Sequence, residues 1–154
     1  MARTIIKESF SAEETFDIGK QIGENAKAGD IYTLNGDLGV GKTVFTQGVA
    51  AGLGITEPVN SPTFTIVQVY EEGRLNFYHF DVYRIGSSDE MYDIGYEDYI
   101  NGEGVCIIEW ANLIEDILPD EYLHIELKYK DMSREMILNP VGEKYEKIVE
   151  ELTK

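Results

Sequence analysis

The chain has 154 residues, 43% of them hydrophobic and 27% charged, an ordinary composition for one folded domain whose core needs no disulfides. Its net charge of −16 repels nucleic acid unless the few basic groups gather on one face, so direct RNA binding is not expected. The lone Cys106 has no internal partner, and no apolar run approaches a signal-peptide core or a membrane span, so a cytoplasmic protein without membrane association is expected.

Thr4 to Ser9 alternates as a first strand, and Ser11-Ala12-Glu13-Glu14 reads as a capping box opening a helix that carries Phe16, Ile18, Ile22 and Ala26 and ends before Gly29. Ile31 to Leu34 is short and apolar, as a buried central strand should be. Gly36-Asp37-Leu38-Gly39-Val40-Gly41-Lys42-Thr43 follows, then a helix from about Lys42 to Leu53 stopped by Gly54. A Pro-containing loop leads to two β-branched and aromatic runs, Phe64 to Glu71 and Leu75 to Val82, which predict an antiparallel hairpin around Glu72-Gly73-Arg74. Short helices are predicted near Ser88 to Gly95 and Tyr96 to Ile100, and Val105 to Ile108 is a second continuous apolar strand closed by Glu109-Trp110. Ala111 to Leu118 predicts a short helix stopped by Pro119, Tyr122 to Tyr129 and Arg134 to Asn139 alternate as strands, and Glu143 to Leu152 is an amphipathic helix. The order implies a single α/β domain over 1–154, P-loop NTPase-like, with a mixed central β-sheet flanked by helices.

The pattern G-x-x-x-x-G-K-[ST] between a strand and a helix carries the chemistry. Its glycines let backbone N–H groups turn inward to cradle phosphate, so Gly36, Asp37, Leu38, Gly39, Val40, Gly41, Lys42, Thr43 and Val44 are the candidate nucleotide-binding segment. Lys42 would reach the β- and γ-phosphates, and the Thr43 hydroxyl would take a position on Mg2+. Hydrolysis needs a further carboxylate beside the metal, and Glu109 stands at the end of an apolar strand where such an acid belongs, although Asp is the commoner choice; a solvated strand end is the alternative. Asp81, in His79-Phe80-Asp81-Val82-Tyr83-Arg84, either orients water or braces His79 or Arg84; His79 itself is given no catalytic role. Ser61-Pro62-Thr63-Phe64-Thr65 sits where switch segments follow the first P-loop helix, so Thr63 or Thr65 is a candidate γ-phosphate sensor, a rigid turn being the alternative. Trp110 alone reads as a core or rim aromatic, and Arg134 as a surface residue in preference to a base or phosphate contact.

Together, the P-loop, Ser61-Pro62-Thr63-Phe64, His79 to Arg84 and Ile108-Glu109-Trp110 resemble, in order and spacing, the signature blocks of the TsaE (YjeE) family, over most of the chain as far as Trp110. The resemblance implies a small bacterial P-loop ATPase needed for threonylcarbamoyladenosine in tRNA, using ATP and Mg2+ to support a partner pair, TsaD and TsaB, with tRNA met only through that complex. It implies Lys42 and Thr43 as phosphate and Mg2+ ligands, Glu109 as the metal-side acid, and Asp81 and Trp110 as functional positions. A small-molecule phosphotransferase is the rival reading, but its Arg-rich lid is not apparent; a GTPase would need an Asn-Lys-x-Asp segment, and none is present.

Overall fold

The structure, a computed structural model, describes residues 4–36, 41–60 and 66–152. Asp37, Leu38, Gly39 and Val40 of the P-loop, and the switch candidates Thr63 and Thr65, lie outside the described residues.

The elements run β1 (Ile5–Ser9), α1 (Ala12–Asn25), β2 (Ile31–Gly36), α2 (Lys42–Gly52), β3 (Val67–Tyr70), β4 (Phe77–Asp81), α3 (Asp89–Asp93), α4 (Tyr96–Ile100), β5 (Val105–Glu109), a 3-10 helix (Ala111–Ile117), β6 (Tyr122–Tyr129), β7 (Arg134–Val141) and α5 (Glu143–Leu152). Seven strands form one sheet in the order β1-β7-β6-β2-β5-β4-β3. Its centre, β6-β2-β5-β4, is parallel, and the β1–β7, β6–β7 and β3–β4 pairs are antiparallel. This is the expected mixed sheet. All of β5 is buried, as is β2 from Ile31 to Leu34, so both read as unbroken apolar runs; β6 alternates because one of its faces is more open.

On one face α1, α2 and α5 bury Ile22, Phe45, Val49, Ile148 and Val149 against Tyr32, Leu34, Ile107 and Ile125. On the other, α3, α4 and the 3-10 helix cover Phe80, Cys106 and Ile108 with Met91, Tyr96 and Ile114. Burial pushes the Cys106 thiol up to about 12, which leaves it protonated and unreactive at neutral pH. No helix among the described residues is long and apolar enough to cross a membrane.

Two local expectations change. The capping box at α1 is skewed: Ser11 Oγ accepts from Glu14 N–H at 3.1 Å, but the Glu14 carboxylate accepts from Phe10 N–H, one residue before the cap. The predicted helix after Trp110 is a 3-10 segment broken at Ile114 (φ −127°), and Leu118 is extended because the residue before a proline avoids the α region.

The joint between α1 and α2 is built on glycine. A Cβ on Gly19 would lie 2.4 Å from Phe45 O, on Gly23 2.1 Å from Val49 O, on Gly48 2.2 Å from Phe16 O and on Gly52 2.3 Å from Lys20 O. The two backbones therefore touch, and the seam holds the helix that begins at the P-loop. Gly48→Ala is expected to lower the unfolding free energy in urea by about 1–3 kcal/mol, because overpacking outweighs the gain in helix propensity. An unchanged midpoint would mean that the helices can move apart at no cost.

Candidate functional site

β2, β5 and β4 lie side by side and in parallel, and register makes their ends level: Leu34 and Asp81 both pair with Glu109. The chain leaves β2 at Gly36 on this edge and α2 begins at Lys42, so Lys42, Glu109 and Asp81 come together although they are far apart in the chain. Odd-numbered residues of β4 and β5 face α2, which puts His79, Asp81 and Glu109 on the P-loop side with Phe77 and Ile107.

Gly41 adopts φ 111°, a left-handed conformation that favours glycine, and starts α2 without a side-chain cap, in contrast to Ser11 on α1. Thr43 is exposed on the first turn, and Val44 is half-buried beside it. Lys42 is only 7% exposed, and its Nζ lies 4.1 Å from the centroid of the Trp110 ring. The ammonium is thus held by the ring's negative face, a cation–π contact. Trp110 presents that ring from a left-handed backbone (φ 63°), the sole non-glycine residue with positive φ among those described, and Tyr83 packs against it at a tilt of 45° with ring centroids 4.9 Å apart. A bulky side chain in this conformation carries strain, as residues at functional sites often do.

Glu109 is 3% exposed and pairs with the fully buried His79, Nε2 to Oε2, at 2.5 Å. Of the two alternatives for Asp81, the brace by His79 or Arg84 is not formed: the imidazole goes to Glu109, and among the described residues Asp81 makes no ion pair with either. Asp81 is half-buried and accepts the Tyr83 N–H at 3.1 Å. Burial raises its carboxyl pKa; the Tyr83 hydrogen bond opposes this, the charge of Glu109 adds to it, and His79 and Lys42 pull it back.

The sequence reading missed a recess of about 260 Å3 that opens at Gly41 and Val44. Phe10 and Met132, 64% and 86% exposed, stand in its wall together with Ser11 and Arg134. Arg134, expected on the surface, is half-buried, with its guanidinium 4.3 Å from the Tyr129 ring centroid. The β1–β7 pairing, Ser9 with Arg134, brings these walls together from distant parts of the chain, so no local pattern could have announced them. A wider recess, about 490 Å3, opens beyond Gly36 between Trp110, Asn112 and Lys128.

A family model described as threonylcarbamoyl adenosine biosynthesis protein TsaE matches residues 9–136. The tRNA threonylcarbamoyladenosine biosynthesis protein TsaE of Bacillus subtilis (strain 168) is 52% identical over 147 residues, covering 95% of this chain and 92% of its own. The protein of that name from Treponema pallidum (strain Nichols) is 43% identical over 120 residues, covering 78% of this chain and 88% of its own. A crystal structure of Bacillus subtilis YdiB superposes with a TM-score of 0.88 at 45% identity, covering 99% of this chain and 96% of that one. With sequence and fold in agreement across nearly its whole length, the chain belongs to the TsaE family of threonylcarbamoyl adenosine biosynthesis proteins.

Proposed function

We propose that this protein is a Mg2+-dependent ATPase subunit of the tRNA threonylcarbamoyladenosine pathway, a single P-loop domain over 1–154 that hydrolyses ATP in association with TsaB and TsaD in the cytoplasm. The observation that carries the reading is the meeting of a buried ammonium, Lys42, with two carboxylates, Asp81 and Glu109, at one edge of three parallel strands. Phosphoryl transfer is mostly positioning and charge stabilisation, and these are the charges it needs.

Gly36, Asp37, Leu38, Gly39, Val40 and Gly41 would cradle the phosphates, with Lys42 leaving the indole of Trp110 for their oxygens. The donor set fits a hard divalent cation: the exposed Thr43 hydroxyl and the buried Glu109 carboxylate are both oxygen donors. No three His, Cys, Asp or Glu side chains form a metal cage among the described residues, which suits an ion shared with phosphate oxygens and water. When bound, Mg2+ would neutralise charge on those oxygens. Asp81, with one oxygen held by Tyr83 and its pKa raised by burial, is suited to orient the attacking water and draw on its proton. Thr63 would sense the γ-phosphate. The recess between Phe10 and Met132 has the exposed apolar walls a planar base needs. The wider recess beyond Gly36 leaves the phosphate end open to a partner, and the charge of −16 favours reaching tRNA only through that complex.

Phosphate release from ATP, measured alone and with TsaB and TsaD, tests the reading. Turnover is expected to be weak alone and to rise with the partners. Indifference to them, or robust phosphate transfer to a small metabolite, would replace it with a stand-alone ATPase or a kinase.

A further inference from the structure

His79 is the residue of this edge with no part in the function proposed above. It is fully buried, flanked in the sheet by Gln68 and Ile107, and stacked on Phe77 with ring centroids 6.3 Å apart and planes within 13°. Its Nε2 meets Glu109 Oε2 at 2.5 Å, and its Nδ1 is buried with no hydrogen-bond partner among the described residues. A carboxylate oxygen accepts, so at this distance Nε2 carries the hydrogen and donates it to Glu109 Oε2.

Such an arrangement addresses a problem created by the residue type at 109. Glutamate has one more rotatable bond than the aspartate commonly found at this position, so its carboxylate plane is less determined by the backbone. The Phe77 stack and the sheet lock the imidazole, and the imidazole in turn fixes one carboxylate oxygen. We propose that His79 is a positioning residue for the divalent cation: its Nε2–H holds Glu109 Oε2 and so presents Oε1 to Mg2+. The role rests on the Mg2+–ATP reading and lies one hydrogen bond away from it, where partners of metal ligands commonly act.

The test is a Mg2+ titration of β,γ-imido-ATP binding to the purified protein, read by fluorescence of Trp110, the only tryptophan. His79→Leu removes the donor but keeps an apolar side chain. It is expected to raise the half-saturating Mg2+ concentration about 10–100-fold while leaving metal-free analogue binding within about twofold. His79→Gln, whose amide nitrogen is as many bonds from the backbone as Nε2, is expected to restore most of the wild-type Mg2+ response; His79→Asn, one methylene shorter, is not.

Equal Mg2+ midpoints in wild type and His79→Leu overturn the role. So does a loss of analogue binding that is the same with and without Mg2+, which marks a core residue only. If His79→Leu does not fold by circular dichroism, the Gln and Asn variants decide: equal midpoints overturn the proposal, and a midpoint raised in Asn alone upholds it. A wild-type protein that binds no analogue at any Mg2+ concentration overturns the ATPase reading, and this role with it. A wild type that binds while all His79 variants match it overturns this role alone.

Discussion

Lys42→Ala is expected to cut partner-stimulated ATP turnover by about a hundredfold or more, the usual loss when one charge-stabilising donor is removed from a dry site. The fold should survive. The ammonium is 7% exposed and rests on the Trp110 ring at 4.1 Å, so the substitution loses a cation–π contact but also removes a charge from an interior position, and the two effects oppose each other. A net stability change under about 1 kcal/mol is expected in urea denaturation. Lys42→Met, which keeps the side chain over the indole, should be as inactive as Lys42→Ala, separating the charge from the packing. Turnover within threefold of wild type in either variant would remove Lys42 from the chemistry and leave the P-loop a turn before a helix.

Glu109→Gln carries the second large effect. The amide oxygen can still accept from His79, so the buried hydrogen bond is kept and only the charge goes. The expected outcome is a rise of at least tenfold in the Mg2+ concentration that half-saturates nucleotide binding, with turnover down about a hundredfold. Asp81 supplies an independent readout. Its pKa is raised by burial first and by the Glu109 charge in addition, so removing that charge should lower it. The acid limb of any pH profile that reports Asp81 should therefore move to lower pH in Glu109→Gln. A limb that stays in place would mean that Asp81 is not the titrating group, and an unchanged Mg2+ dependence would return Glu109 to the role of a buried strand end.

How far the site was legible depended on how local its determinants are. Lys42 and Thr43 were readable because strand, glycine loop and helix follow one another within a few residues. Asp81 and Glu109 were legible as polar residues closing apolar strands, and the family resemblance singled them out. That they sit directly opposite one another is a property of register between strands 28 residues apart in sequence, set by parallel pairing with no short turn to fix it. The partner of His79 was out of reach for the same reason: alternation put it on the side of Asp81, but only the neighbouring strand supplied Glu109. The glycines at 19, 23, 48 and 52 offer no side chain to mark a packed face, and their role appears only where two helix backbones touch.

By itself, then, the amino-acid order determined most of the element types and the mixed sheet, since each depends on propensity, periodicity and turn chemistry acting over short range. Tertiary structure alone decided that Trp110 covers the ammonium of Lys42, that His79 holds Glu109, and that Phe10, Met132 and Arg134 wall a recess at Gly41. Those contacts join residues from distant parts of the chain. Such pairs are chosen by which buried faces can close against one another and by strand register, quantities that no window of sequence contains.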